Sequence, residues 1–352
     1  MSRDPGPDHA RMAALIDAAP AQIDTAVEAS SRSPLRAPVQ ADVLAVGAMG
    51  GSAIAADLSV AVYAERLPRP VLVTRDLGWP GWLRPGALAY LASASGNTAE
   101  TLSLYREARA RGVTCRAATS GGMLAEWCSR DWVPCATLPG GMPPRAGLYA
   151  AWVAFTDVLA GLSWIDEPSP AWREAAAMMR QEVVLWGAGS GSDSPARRAA
   201  ETLHNRPVYL YAPDRLGALA TRWRNQLNEN AKVLGHSAVV PELLHNEVVG
   251  WEKPGSPGRE AAAVILRDGE EPPEIAVRLD LLAEYLDQRG VRVVQPPAPS
   301  GGRLARHASL ALFGDYVSLY LAARNGVDPT PIASLDEFKR RLSEWSARRA
   351  DA

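Results

Sequence analysis

Two doubly wound α/β domains with parallel sheets are the fold this sequence predicts, and three features carry the expectation. Its 352 residues, 47% of them hydrophobic, suffice for two cores at roughly 100 to 200 residues per domain. From Val43 onward, short apolar runs alternate with longer stretches of helical period, the rhythm of βα units around a parallel sheet. The rhythm restarts after residues 163–170 (SWIDEPSP), whose composition is that of a linker. The expected division is an N-terminal tail with helices over 1–40, a first domain over 41–162 and a second over 163–352.

Residues 1–9 read as a disordered tail. The spacing of Met12, Leu15, Ile16, Ile23 and Val27, interrupted at Pro20, predicts two short helices over 10–30. Strands follow at 43–46, 71–74, 88–93, 114–118 and 132–137, with helices at 52–64, 98–111, 123–127 and from 146 to about 162. After a helix at 171–185, the second half predicts strands at 208–211, 261–266 and 291–294. Its helices fall at 194–203, 216–234, 273–288, 304–323 and 334–348. Both halves share the βα rhythm, so an αβα sandwich is expected for each.

Composition removes several classes of function. A formal net charge of -2 without a long Lys/Arg run leaves no electrostatic footprint for nucleic acid or an anionic membrane. No run of about 18 apolar residues occurs, and the opening MSRDPGPDHARMAAL has charges and prolines where an export signal needs apolar residues. A cytoplasmic protein is the expectation. Cys115, Cys128 and Cys135 fit neither a disulfide framework nor a CxxC metal site, which predicts reduced thiols.

Two turns have the chemistry of a phosphate cradle. VGAMGGS, ending in Gly51 and Ser52, leaves a strand, turns on glycines and opens a helix, so backbone N–H groups point at the helix's positive end. SASGNT places Ser93, Ser95 and Thr98 in the same setting after the third strand. Either turn alone is an ordinary strand-to-helix connection with a Ser/Thr cap. Together, at adjacent strand ends of one open sheet, they favour a ligand. GAGSG at 187–191 lacks the glycine spacing of a dinucleotide loop and has no following GK[ST].

On the predicted helix 216–234, Leu216, Leu219, Trp223, Leu227 and Leu234 form an apolar stripe. Arg222, Gln226, Glu229 and Lys232 share another face, where the plain reading is a solvated surface with a Glu229–Lys232 pair. His245, between Leu243-Leu244 and Val248-Val249, reads equally well as a hydrogen-bonded structural histidine, and Arg145 as a loop charge.

The motifs GAMGGSAIAADL, SASGNTAETL, LPGGMPPRAGLYA, RWRNQLNENAK, PELLHNEVVGW and FGDYVSLYLAARNGVDPTP, in that order, resemble the bifunctional phosphoglucose/phosphomannose isomerases of the sugar isomerase (SIS) fold. The resemblance implies two SIS domains and aldose-ketose isomerisation of hexose 6-phosphates through an enediol, with neither cofactor nor metal. It implies Glu229 as the proton-transferring base, His245 as the group assisting ring opening, and Arg145 as the cation beside the enediolate. Gly51, Ser52, Ser93, Ser95 and Thr98 would hold the phosphate, with Lys339 a further contact near the ring oxygen. It also implies a homodimer whose subunits complete each other's sites, the histidine crossing the interface. Trp251 beside that histidine fits burial at such an interface or ordinary core packing. Ala55, Ala56 and Ala94 depart from the family pattern, which leaves the choice between glucose and mannose phosphate open.

A non-catalytic sugar-phosphate-binding protein of the same fold is the alternative. Such proteins usually carry a helix-turn-helix, for which the roughly 40 residues before the first strand are too short and insufficiently basic. An amidotransferase would need an early nucleophilic cysteine, whereas the first here is Cys115.

Overall fold

A computed structural model describes residues 7–252 and 258–350. Helices α1, Pro7–Asp17, and α2, Ala19–Ser30, precede the first sheet. The expected tail is therefore helical from Pro7 onward, and residues 1–6 lie outside the described residues. Pro20 does not interrupt a helix. It sits in the first turn of α2, where a missing N–H leaves no bond unmade.

The first βα series comprises β1, Val43–Ala48; α3, Gly50–Tyr63; β2, Val71–Thr74; β3, Ala87–Ser93; α4, Ala99–Ala110; β4, Thr114–Thr119; α5, Gly122–Arg130; and β5, Cys135–Thr137. Its five strands are parallel in the order β2-β1-β3-β4-β5. Leu44, Val46, Leu88, Tyr90 and Ala92 face one core, while Ala45, Ala89, Leu91, Cys115 and Ala117 face a second under α4 and α5. That alternation is the period of two expected of a strand covered on both faces. A 3₁₀ turn, Pro144–Gly147, leads into α6, Leu148–Gly161, which is buried along nearly its whole length.

Residues 163–170 do not form a free linker. Trp164 is buried in the core, and α7, Ser169–Trp186, begins within that stretch. Then come α8, Pro195–Leu203; β6, Val208–Pro213; α9, Gly217–Gln226; β7, Gly235–Val240; β8, Ala262–Ile265; α10, Pro273–Gln288; β9, Arg292–Val294; α11, Arg303–Asn325; and α12, Ala333–Ala350. A second parallel sheet has the order β7-β6-β8-β9. Val208, Leu210, Val264 and Leu266 join the core shared with the first half, and Tyr211, Ala263 and Ile265 pack under α10. Among the described residues no helix is long and apolar enough to cross a membrane.

Two expectations fail in the stretch 216–240. The single helix over 216–234 is instead α9 followed by a π-helical turn, Leu227–Ala231, closed by Lys232 at φ 57°. After it comes β7, a strand absent from the sequence reading. Gly235 and the Ser-Ala-Val-Val that follows His236 are signals for it, masked by the longer helix that the apolar stripe suggests. The supposed polar face is also wrong: Arg222 and Gln226 are 2% exposed, while Leu234 is 89% exposed beyond the helix end.

Candidate active site

Adjacent strands β1 and β3 lead in opposite directions across the first sheet, β1 to β2 and β3 to β4. Their carboxyl ends, Ala48 beside Ala92, form the switch point at which open α/β sheets bind ligands. Both Ser-rich turns leave from there. Gly50 takes φ +50° and no side chain caps the first turn of α3, so its N–H groups and the buried Ser52 lie at the helix's positive end. Thr98 precedes α4 without capping it, and its hydroxyl meets Ser93 Oγ at 2.8 Å. Ser93 Oγ also accepts from the Gly96 N–H at 3.1 Å, and Ser95 Oγ from that of Asn97 at 3.2 Å. Gly96, at φ +68°, permits the turn to lie against the next loop, since an added Cβ would stand 1.7 Å from the Gly121 carbonyl oxygen.

The second glycine of the first turn has a comparable role. A Cβ on Gly51 would lie 3.3 Å from the Pro144 carbonyl oxygen and 3.8 Å from Arg145 Cα. That tight fit explains the residue type: the Gly50–Gly51 turn and the Arg145 turn touch through backbone there. Arg145 is a buried residue, not a loop charge. Its Nε donates to Asn230 Oδ1 at 2.6 Å, Nη1 to Glu229 Oε2 at 3.3 Å, and Nη2 to the carbonyls of Pro329 and Thr330 at 2.6 and 3.0 Å. Burial lowers its pKa, with the Glu229 carboxylate opposing that shift.

Glu229 occupies the π-helical turn, the widened kind of turn often found at functional sites. The extra residue rotates it out of phase with α9, so a helical wheel cannot place it. Lys232 does not pair with its carboxylate; the ammonium donates to the Glu229 and Pro331 carbonyls instead. Burial, and then Arg145, lower the Lys232 pKa. Arg145 and Glu229 are thus brought together from opposite halves of the chain, with the Arg145 backbone beside the Gly51 turn.

His245 and Lys339 are not brought to them. Glu229 precedes β7 and His245 follows it, so a six-residue strand, roughly 20 Å at about 3.3 Å per residue, separates the two. Among the described residues the exposed His245 side chain has no hydrogen bond or ion pair, contrary to the structural-histidine reading. Its turn is pinned through Glu247, which accepts from Tyr211 Oη at 2.7 Å and lies 2.9 Å from His236 Nε2. Trp251 packs within the chain, 4.7 Å between ring centroids from Tyr209, with its Nε1 donating to Tyr211 Oη at 3.2 Å. Lys339 is exposed on α12, and its side chain likewise forms no hydrogen bond or ion pair among the described residues.

Sequence reasoning missed Asn230, Arg222, Asp315 and Glu247. One signal was available: Asp315 is a lone acid within the apolar run of α11, a pattern that calls for a buried partner. Among the described residues no group of three or more His, Cys, Asp or Glu side chains is placed to hold a metal ion.

Residues 192–342 match the family described as the bacterial phospho-glucose isomerase C-terminal SIS domain. The bifunctional phosphoglucose/phosphomannose isomerase of Caldicellulosiruptor bescii is 32% identical over 305 residues, covering 86% of this chain and 90% of that protein. The protein of that name from Aquifex aeolicus is 27% identical over 84% of this chain and 89% of its own. Among solved structures, the C-terminal domain of glucosamine-fructose-6-phosphate aminotransferase from Francisella tularensis superposes with a TM-score of 0.69 at 15% identity. It covers 91% of this chain and 98% of that one, and shows the shared fold. A glucose-6-phosphate isomerase like protein from Thermus thermophilus gives a TM-score of 0.59 at 21% identity, over 87% and 92% of the two chains. With about a third of its residues identical over nearly the full length of such a relative, the chain belongs to the bifunctional phosphoglucose/phosphomannose isomerase family.

Proposed function

We propose that the chain is a sugar-phosphate isomerase that interconverts glucose 6-phosphate and mannose 6-phosphate with fructose 6-phosphate, using neither cofactor nor metal. The observation carrying this reading is the Arg145–Glu229 pair, 3.3 Å apart, with the Arg145 backbone set against the Gly51 turn. A base and a fixed cation beside an anion cradle are what proton transfer on a phosphorylated carbonyl compound requires.

In the ring-opened aldose, the Glu229 carboxylate takes the C2 proton while O1 gains one, giving an enediol. The same carboxyl then returns its proton to C1 as O2 loses its own and becomes the ketone oxygen. Arg145 stabilises negative charge developing on the enediol oxygens. Because C2 is trigonal in that intermediate, glucose and mannose phosphates converge on it, which accounts for two aldoses at one site. Gly51, Ser52, Ser93, Ser95 and Thr98 hold the phosphate.

His245 opens the ring in the site of the other subunit of a homodimer, a reading supported by its exposure and its separation from Glu229 by β7. Lys339 on exposed α12 approaches the ring oxygen in the same assembly. Residues 41–162 and 163–352 form two SIS-type αβα sandwiches, with 1–40 an N-terminal addition. The free cysteines and the substrates support a cytoplasmic location.

The test is a coupled assay of chelator-treated protein with fructose 6-phosphate, scoring both aldoses. Formation of glucose 6-phosphate and mannose 6-phosphate is expected. Binding of fructose 6-phosphate without either product would favour a non-catalytic sugar-phosphate-binding protein.

A further inference from the structure

A buried ion pair behind the candidate site takes no part in the chemistry above. Arg222 on α9 and Asp315 on α11 lie 2.8 Å apart, with side chains only 3% and 5% exposed. The same Arg222 Nη2 that reaches Asp315 Oδ1 also donates to the backbone carbonyl of Arg145, at 2.9 Å. Gln226 Nε2 donates to that Asp315 oxygen at 2.7 Å. Asn230, which accepts from Arg145 Nε, donates to Ser318 Oγ at 2.9 Å, and Ser318 donates to the Asp315 carbonyl at 2.7 Å.

These bonds converge on a residue that has little regular structure of its own. Arg145 lies in a four-residue 3₁₀ turn, too short to fix its backbone by a helical ladder. It is held instead from α11, at its carbonyl through Arg222 and at its guanidinium through Asn230. Asp315 and Ser318 are three residues apart and so share one face of that helix. We infer that Arg222 and Asp315 are positioning residues for the isomerisation, setting the Arg145 backbone so that its guanidinium stays beside Glu229. The inference rests on the roles proposed for Arg145 and Glu229.

Breaking a buried pair also unfolds protein, so stability and positioning must be separated. Arg222→Met alone leaves Asp315 charged and unpaired, which is strongly destabilising. The double variant Arg222→Met/Asp315→Leu removes both charges, and replacing a buried pair with apolar residues is often neutral for stability. It is expected to recover most of the melting temperature lost in Arg222→Met, yet to show kcat about a hundredfold below the parent at nearly unchanged KM for fructose 6-phosphate. Arg222→Lys keeps the charge but replaces the Nη2 that reaches both acceptors with a tetrahedral ammonium on a shorter side chain, and is expected to lower kcat about tenfold at a near-parental melting temperature. It decides the matter should the double variant not fold.

Parental kcat in a folded double variant, or in Arg222→Lys, overturns the positioning role. Arg145→Ala, assayed in parallel, keeps the two readings apart. Parental turnover in that variant sinks the site assignment and the positioning role with it; loss of turnover there, with parental kcat in the Arg222 variants, sinks only the positioning role.

Discussion

Arg145 Nη1 and Glu229 Oε2 lie 3.3 Å apart, and the two side chains differ sharply in exposure, 2% against 32%. Besides Glu229, the cation is held by three hydrogen bonds, to Asn230 and the carbonyls of Pro329 and Thr330, while the carboxylate is partly open to solvent. That asymmetry suits a pair in which one partner holds charge in place and the other handles a proton.

Replacing the base without changing its shape isolates that second duty. Glu229→Gln is expected to lower kcat by about a thousandfold or more while leaving binding of a hexose 6-phosphate nearly unchanged. Steady-state kinetics with calorimetric binding check this, and near-normal turnover would rule out Glu229 as the base.

Arg145→Lys keeps a positive charge but lacks the planar fork that serves Asn230, Glu229 and two carbonyls at once. A loss of about a hundredfold in kcat is expected, with a lower melting temperature as the 329–330 carbonyls lose their donor. Unchanged values of both would mean that a simple buried cation suffices.

Subunit complementation tests where His245 works. Glu229→Gln and His245→Ala homodimers should each be nearly inactive, and His245→Ala should keep the parental melting temperature because the exposed ring makes no hydrogen bond among the described residues. Unfolding and refolding the two together should restore about a quarter of parental activity, since half the dimers are mixed and each mixed dimer has one intact site. No recovery among properly mixed dimers would place both residues in the same subunit's site.

Gly96→Ala should disrupt the contact between the SASGNT turn and the loop at Gly121. Its φ of +68° disfavours a side chain, and the new Cβ would meet the Gly121 oxygen at 1.7 Å. The expected cost is more than about 2 kcal/mol in chemical denaturation, with a raised KM. An unaltered KM in folded protein would separate this turn from phosphate binding.

Asp157, hydrogen-bonded to Ser30 between α6 and α2, has its pKa raised by burial from 3.8 to about 6, against the opposing pull of Ser30 and Arg36. The folded state therefore holds this proton more tightly than the unfolded chain does. Stability from this group is present below about pH 4 and declines as pH rises through about 6, by up to about 3 kcal/mol. Asp157→Asn should flatten that part of the stability profile, and an unchanged profile in urea melts from pH 4 to 7 would contradict the assignment.

Much of the fold was legible because its signals are local. β2 and α10 fall at 71–74 and 273–288 as expected, since apolar runs and helical spacing report burial within a few residues. The two Ser-rich turns at the ends of β1 and β3 were legible for the same reason: glycines and hydroxyls that follow an apolar run mark a strand-to-helix turn within a few residues. Only family resemblance singled out Glu229, because the π-helical turn breaks the period that a helical wheel assumes. The missed strand β7 mattered most, since it turns two residues close in sequence into residues at opposite ends of a strand.

Residue order alone was enough for the parallel α/β architecture, the two Ser-rich turns and the set of residues to consider. Only packing settled that Arg145 is buried and meets Glu229, 84 residues away, and that Arg222 and Asp315 stand behind them. Periodicity records which side of its own element a residue occupies, and nothing of which distant element will cover it. Those pairings are set when α9, paired with α11 through Arg222 and Asp315, brings Arg222 to the carbonyl of Arg145 in the 3₁₀ turn, where a desolvated guanidinium must find acceptors wherever the chain supplies them.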